Sequence, residues 1–140
     1  MKFPWHSDKK KAAEVRAGCG YASEAVVESR TVPGVRFTIA KMSFGRRVEL
    51  MRRGRELARK AEFLSASEEA GEKMDAGLVQ AEIERLYEMW GVKAVSGLTV
   101  DGSMAGPELL AEAGPEELFR EALAAVRRET GLNEEERKNS

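Results

Sequence analysis

The chain holds one histidine, His6, and one cysteine, Cys19, and this narrows the chemistry open to it from the start. Acyl-transfer chemistry needs a nucleophile, a base and a group that orients the base, and no second histidine is available to complete such a set. His6 is therefore expected to be a solvated side chain. Cys19 stands between Gly18 and Gly20, with no adjacent cation or helix start to stabilise a thiolate. A single cysteine makes neither an internal disulfide nor, by itself, a zinc site. Gly18-Cys19-Gly20 lacks the spacing and the lysine of a phosphate-binding loop. Asp101-Gly102-Ser103 lacks the alternating acids and closing glutamate of a calcium loop, so it reads as a turn. Glu82, Glu84 and Glu88 fall on a helix whose outer face is expected to be wet, which gives no support to a two-carboxylate site. The expectation is a protein that is not an enzyme, with no catalytic set, cofactor or metal.

A basic stretch is the strongest remaining signal. Arg46, Arg47, Arg52, Arg53, Arg55, Arg59 and Lys60 face two acids, Glu49 and Glu56, within fifteen residues. Such a face attracts phosphates by releasing counterions. It is equally the composition of a solvated helix face, because Glu49 with Arg52 and Arg53, and Glu56 with Arg59 and Lys60, sit three and four residues apart. No helix-turn-helix, zinc finger or aromatic RNA-binding motif accompanies it, so nucleic acid is not the expected ligand.

These residues need elements to position them. Val32-Pro33-Gly34 signals a turn, and Val35, Phe37 and Ile39 then alternate with Arg36, Thr38 and Ala40, the period of a half-buried strand. A strand is expected over 35–41, with 25–28 as its weaker partner. Ser43 caps a helix that runs from Phe44 to Leu64, with Leu50, Met51, Gly54, Leu57, Ala58, Ala61 and Leu64 on one broad face. Gly54 in the middle of that face implies close approach of another backbone, and Gly54→Leu is expected to destabilise far beyond a propensity effect. A second helix is expected over 73–90, with Val79, Ile83, Leu86, Tyr87 and Trp90 as its stripe and Gly91 as a left-handed cap. An extended stretch over 92–100, broken at Gly97, leads to the Asp101-Gly102 turn. Pro107 and Pro115 open two further helices, the second ending at Gly131. The fold class is therefore α+β, mostly α, with about four helices and a small β-hairpin. Residues 31–140 are expected to form one domain behind a basic N-terminal arm, 1–30, in which 8–17 can form a short helix.

A length of 140 residues suits a single domain. No run of apolar residues approaches the ~18 needed for a membrane span, and nothing after the opening Met-Lys-Phe-Pro-Trp-His resembles a secretory signal, so a cytoplasmic protein without membrane contact is expected. The net charge of −1 conceals an asymmetry: residues 1–60 carry 15 Lys/Arg against 6 Asp/Glu, and residues 61–140 carry 8 against 18. Pairing of the two halves within the molecule is favoured over a basic face kept for an anionic partner.

Several strings in order carry a resemblance. Residues 31–39 (TVPGVRFTI), 42–50 (MSFGRRVEL), 82–87 (EIERLY), 114–118 (GPEEL) and 132–139 (LNEEERKN) resemble the tail assembly chaperones, small proteins encoded in the tail modules of long-tailed bacteriophages and prophages. The match spans roughly 31–139 and leaves the first thirty residues outside it. The resemblance implies a helical, non-catalytic protein in the host cytoplasm. Such a protein binds the phage tape measure protein, helps recruit tail tube subunits and leaves before the tail is complete; some members also exist in a longer, frameshifted form.

A partner for a long helical substrate needs an apolar face left over after the core is built. Met74, Leu78 and Met89 lie on a face of the second helix distinct from the Val79–Trp90 stripe, and methionine suits an adaptable contact. These three are the expected contact residues for the tape measure protein or for self-association. The rivals are a nucleic-acid-binding accessory protein using the basic helix over 46–60 and a structural virion subunit at the head-tail connection.

Overall fold

The computed structural model describes residues 18–65 and 72–132, with side chains left out for 63–65 and 72–75. The expected helix over 8–17, the docking of Phe3 and Trp5 and the last turn at 133–136 lie outside the described residues. Within them the protein is a mostly-α α+β fold, with four helices and two small antiparallel sheets. In chain order the elements are β1 (Glu24–Glu28), β2 (Arg36–Ala40), α1 (Phe44–Ser65), α2 (Glu72–Gly91), β3 (Val92–Ser96), β4 (Thr99–Val100), β5 (Ser103–Met104), α3 (Pro107–Ala113) and α4 (Glu116–Thr130).

β2 is the centre of the three-stranded sheet, paired antiparallel with β1 on one side and β3 on the other. The alternation read from the sequence is realised at Val35, Phe37 and Ile39, which are buried, and at Arg36, which faces solvent, but Thr38 is half-buried and Ala40 is buried too. β1 belongs to this sheet, so the boundary drawn at residue 31 falls inside the β1–β2 hairpin and residues 24–30 are part of the folded body. The hairpin loop is tied down from α4. Glu121 accepts hydrogen bonds from the Ser29 hydroxyl and the Arg30 N–H, each at 2.6 Å, and Ser29 Oγ accepts from the Thr31 and Val32 N–H groups. Burial works to raise the pKa of Glu121, but these hydrogen bonds to its ionised form outweigh it and hold the carboxyl below its ordinary range.

α4 lies on the sheet and closes the core. Its Leu118, Ala122, Ala125 and Val126 pack with Phe37, Ile39, Val92, Val95, Leu110 and Trp90. The helix is charged as its dipole favours, with Glu116 and Glu117 in the first turn, Arg127 and Arg128 in the last, and Gly131 as a left-handed cap at φ 79°. Gly91 does not have that role. It remains helical at the end of α2, and a Cβ there would fall 2.5 Å from Val126 Cγ1, so glycine is required because α4 approaches α2 closely. The turn after β4 is as expected, with Asp101 at φ 51° and Gly102 at φ 84°.

α1 begins where the sequence places it, with the Arg46 N–H donating to Ser43 Oγ at 3.2 Å. At 22 residues it is about 33 Å long, and it packs chiefly on α2 rather than on the sheet or α4. Arg46 at its start meets Trp90 at the end of α2, so the two helices form an antiparallel hairpin whose base is part of the core. No helix among the described residues is long and apolar enough to cross a membrane.

Candidate functional site

The α1–α2 hairpin is wedged apart along one side. Leu50, Gly54, Leu57, Ala58 and Ala61 from α1 and Val79, Ile83, Leu86 and Tyr87 from α2 line a groove of about 450 Å³, with Glu62 as its one charged lining residue. Small residues at 54, 58 and 61 leave the space that larger side chains would fill. The expectation for Gly54 is therefore overturned. A Cβ at that position meets nothing within 4 Å, so no helix or strand crosses here and the glycine opens the groove. Gly54→Ala is expected to stabilise the protein by about 0.5–1 kcal/mol through helix propensity alone. Urea denaturation reads this as a higher midpoint; a lower one would mean that the two helices close over the position.

The apolar surface extends beyond the groove. Phe44, Met51 and Ala58 are spaced seven apart and share one line along α1. Phe44 is 84% exposed and Met51 65% exposed, and the line ends on groove-lining Ala58. Large apolar side chains left in solvent on one rim of an apolar groove are the usual mark of a contact surface.

The basic residues divide into distinct roles. Arg46 is not part of an outward basic face: its guanidinium lies 4.7 Å from the Trp90 ring centre and donates to the Trp90 carbonyl, while Trp90 Nε1 donates to the Arg46 carbonyl at 3.0 Å. This reciprocal clasp fastens the base of the hairpin. Arg53 pairs with Glu49 at 2.8 Å, one of the intrahelical pairs expected. Arg47, Arg52, Arg55, Arg59 and Lys60 are exposed and make no ion pair among the described residues.

Among the described residues the ion pairs stay within each half, in place of the favoured pairing of basic and acidic halves. Arg36–Glu28 and Arg53–Glu49 lie within the first half, and Arg85–Glu112, Arg120–Glu84, Arg120–Glu116 and Arg128–Glu129 lie within the second. No ion pair among the described residues joins the halves, and Arg47, Arg52, Arg55, Arg59 and Lys60 of α1 remain exposed to solvent.

The contact residues expected on α2 are not brought together. Leu78 is 51% exposed, and Met89 is half-buried in a different cleft of about 620 Å³ whose walls include Arg53, Glu56, Lys60, Glu82 and Arg85. The side chain of Met74 lies outside the described residues. Leu78 and Met89 do occupy the flank of α2 opposite Val79 and Ile83, as their spacing requires. The apolar cavity, however, is on the Val79–Ile83 side.

Glu88 is the residue that sequence reasoning misplaced most. Its side chain has no exposed surface, and no donor among the described residues reaches either carboxylate oxygen. Burial pushes its pKa from 4.5 up to about 7, against a smaller opposing pull from Arg85. It shares its side of α2 with Glu84, which Arg120 of α4 engages at 2.9 Å, and Arg85, which Glu112 of α3 engages. The carboxyl is therefore buried where α2 meets α3 and α4.

Fold and site together define a small α+β body that carries a helical hairpin, basic on α1, with an apolar groove. The chain matches no protein family, no curated protein and no solved structure.

Proposed function

We propose that this protein is a non-catalytic tail assembly chaperone of a long-tailed bacteriophage or prophage, acting in the host cytoplasm. It holds a helical segment of the tape measure protein in the α1–α2 groove while tail tube subunits are recruited. The observation that carries this reading is the groove itself: three turns of apolar lining with exposed Phe44 and Met51 along one rim. Helix-in-groove recognition uses apolar anchors at i, i+3, i+4 and i+7, and a cavity between two parallel walls of small and branched side chains receives such anchors. The resemblance over 31–139 supplies the identity of the partner.

Gly54→Leu and Ala58→Glu test this. Both positions face open space or solvent, so both variants are expected to melt within a few degrees of the parent. Co-purification of the tape measure protein from cells expressing both chains is expected to fall at least tenfold. Undiminished capture by both variants would remove the groove from the mechanism.

A second reading draws on the unpaired cations of α1. Arg52, Arg55 and Arg59, at i, i+3 and i+7, form an outward ridge that suits phosphates. If it bound nucleic acid, affinity would fall with salt at a log-log slope of about −0.7 to −0.9 per phosphate contacted. No shift of duplex or single-stranded nucleic acid is expected at low salt.

A further inference from the structure

The cation whose field reaches the Glu88 carboxyl is held by another residue. Glu88 is fully buried with neither oxygen satisfied among the described residues, and Arg85 precedes it by three, the spacing at which side chains on one helix meet. In the structure that guanidinium is turned to Glu112 of α3, in a pair whose two side chains are about half open to solvent.

The Arg85–Glu112 pair also stands where three clefts meet. Arg85 lines the cleft of about 620 Å³ between α1 and α2 and a second of about 280 Å³ between α2, α3 and α4, and Glu112 lines a third of about 580 Å³ beside Met89 and Pro107. Met89 belongs to the first and the third, so the pair stands between them. α3 itself is only seven residues long, with Leu110 as its one buried residue, and Arg85 ties its Glu112 flank to α2.

We propose that Arg85 is a latch: when Glu88 releases its proton to solvent, the guanidinium leaves Glu112 for the Glu88 carboxylate, and the Glu112 flank of α3 comes free of α2. An ion pair half open to water is worth little, because solvent serves both partners nearly as well. A buried carboxylate without a cation is among the costlier arrangements a fold can hold. Glu88 therefore outcompetes Glu112 for Arg85 once it is charged and loses to it while it is neutral. Its raised pKa of about 7 sets the changeover near neutrality.

The other charged groups on the elements packed against α2 do not replace the latch. Glu84 of α2 is held by Arg120 of α4, which also pairs with Glu116. Glu82 of α2 and Glu108 of α3 line the clefts and carry the wrong sign to settle a carboxylate. Across the first cleft α1 presents Arg53, held by Glu49, together with Glu56 and Lys60, and Lys93 of β3 is exposed. Arg85 alone among the described cations lowers the pKa of Glu88. With the latch on Glu88 the three clefts join into one channel along α2, with Met89 on its floor. Leu110 stays in the core, so α3 loosens along one flank while the body remains folded. The latch does not depend on what the α1–α2 groove holds.

The test uses the full-length protein, with the Glu88 side-chain carboxyl followed by carbon-13 NMR and amide protection factors measured by hydrogen exchange at pH 6 and pH 8. Protection over 109–112 is expected to fall about tenfold between these pH values, more than over 122–126 of α4, which reports opening of the whole body. Glu88→Gln is expected to keep α3 protection the same at both. Glu112→Gln leaves Arg85 without its outer partner, so the Glu88 midpoint is expected to fall by about one pH unit, with α3 already loose at pH 6. A midpoint unmoved by Glu112→Gln would overturn the exchange of partners. Equal loss of protection in α3 and α4 would make the response a loosening of the whole fold, and a loss that persists in Glu88→Gln would assign it to another group; either sinks the latch. So does an α3 whose protection stays constant while Glu88 titrates.

Discussion

Between pH 4.5 and pH 7 the protein is expected to lose about 3 kcal/mol of stability through Glu88 alone, at 1.36 kcal/mol per pKa unit. The carboxyl is raised from 4.5 in the unfolded chain to about 7 in the fold, so over this window the folded state holds a proton that the unfolded state has released. Its contribution is fully present below pH 4.5, declines as the pH rises, and is gone above about 7, where both states are ionised. Arg85 offsets this only in part, being itself engaged by Glu112, and Arg120 is engaged by Glu84 and Glu116. Glu88→Gln keeps the shape and removes the ionisation. Urea unfolding of the two proteins at pH 5, 6, 7 and 8 should give a gap that widens with pH in favour of the variant. A gap that stays constant would mean that Glu88 is ionised in the fold throughout. Glu121 acts in the opposite sense: its depressed pKa makes the hairpin tether strongest above its unfolded pKa and weakens it as the pH falls through the folded value.

Gly97→Ala is expected to cost about 3 kcal/mol or more, from a positive-φ strain of about 1–2 kcal/mol and an overpacking cost of about 1–3 kcal/mol. The residue sits at φ +82°, and a Cβ built there would lie 2.1 Å from the Gly34 carbonyl oxygen and 2.9 Å from its carbon. Both atoms are backbone in the turn before β2, so relief requires moving the β1–β2 hairpin off the end of β3. Gly102→Ala is the internal control. It has nearly the same backbone, φ +84°, but nothing within 4 Å of a Cβ, so it should show the strain without the clash. Melting temperatures of the two variants at one pH separate the effects. Similar losses in both would mean that the hairpin yields easily and that the close approach has little energetic weight.

Local patterns were legible in the sequence because each depends on residues within a turn or two of one another. The alternation at Val35, Phe37 and Ile39, the Ser43 cap, the Asp101-Gly102 turn, the Gly131 cap and the dipole-matched ends of α4 all appear where short-range rules put them. The mostly-α α+β class follows from their order. What the sequence left open concerned partners distant in the chain. A helical period gives the angle of a residue on its own helix and says nothing of what stands opposite. Gly54 and Gly91 illustrate this: both are helical glycines, yet one faces open space and the other faces Val126 of α4. The same limit explains Glu88, whose side of α2 is polar in composition and is nevertheless covered by α3 and α4. It also explains Arg46, counted with the basic face by position but folded back onto Trp90. The sequence by itself determined the helices and the β1–β2 hairpin, the Ser43 and Gly131 caps and the basic character of α1. Only the tertiary structure decided that α1 leans chiefly on α2, leaving an apolar groove between them. Packing between elements depends on which side chains are small at facing positions 20 to 40 residues apart, and no local rule contains that information.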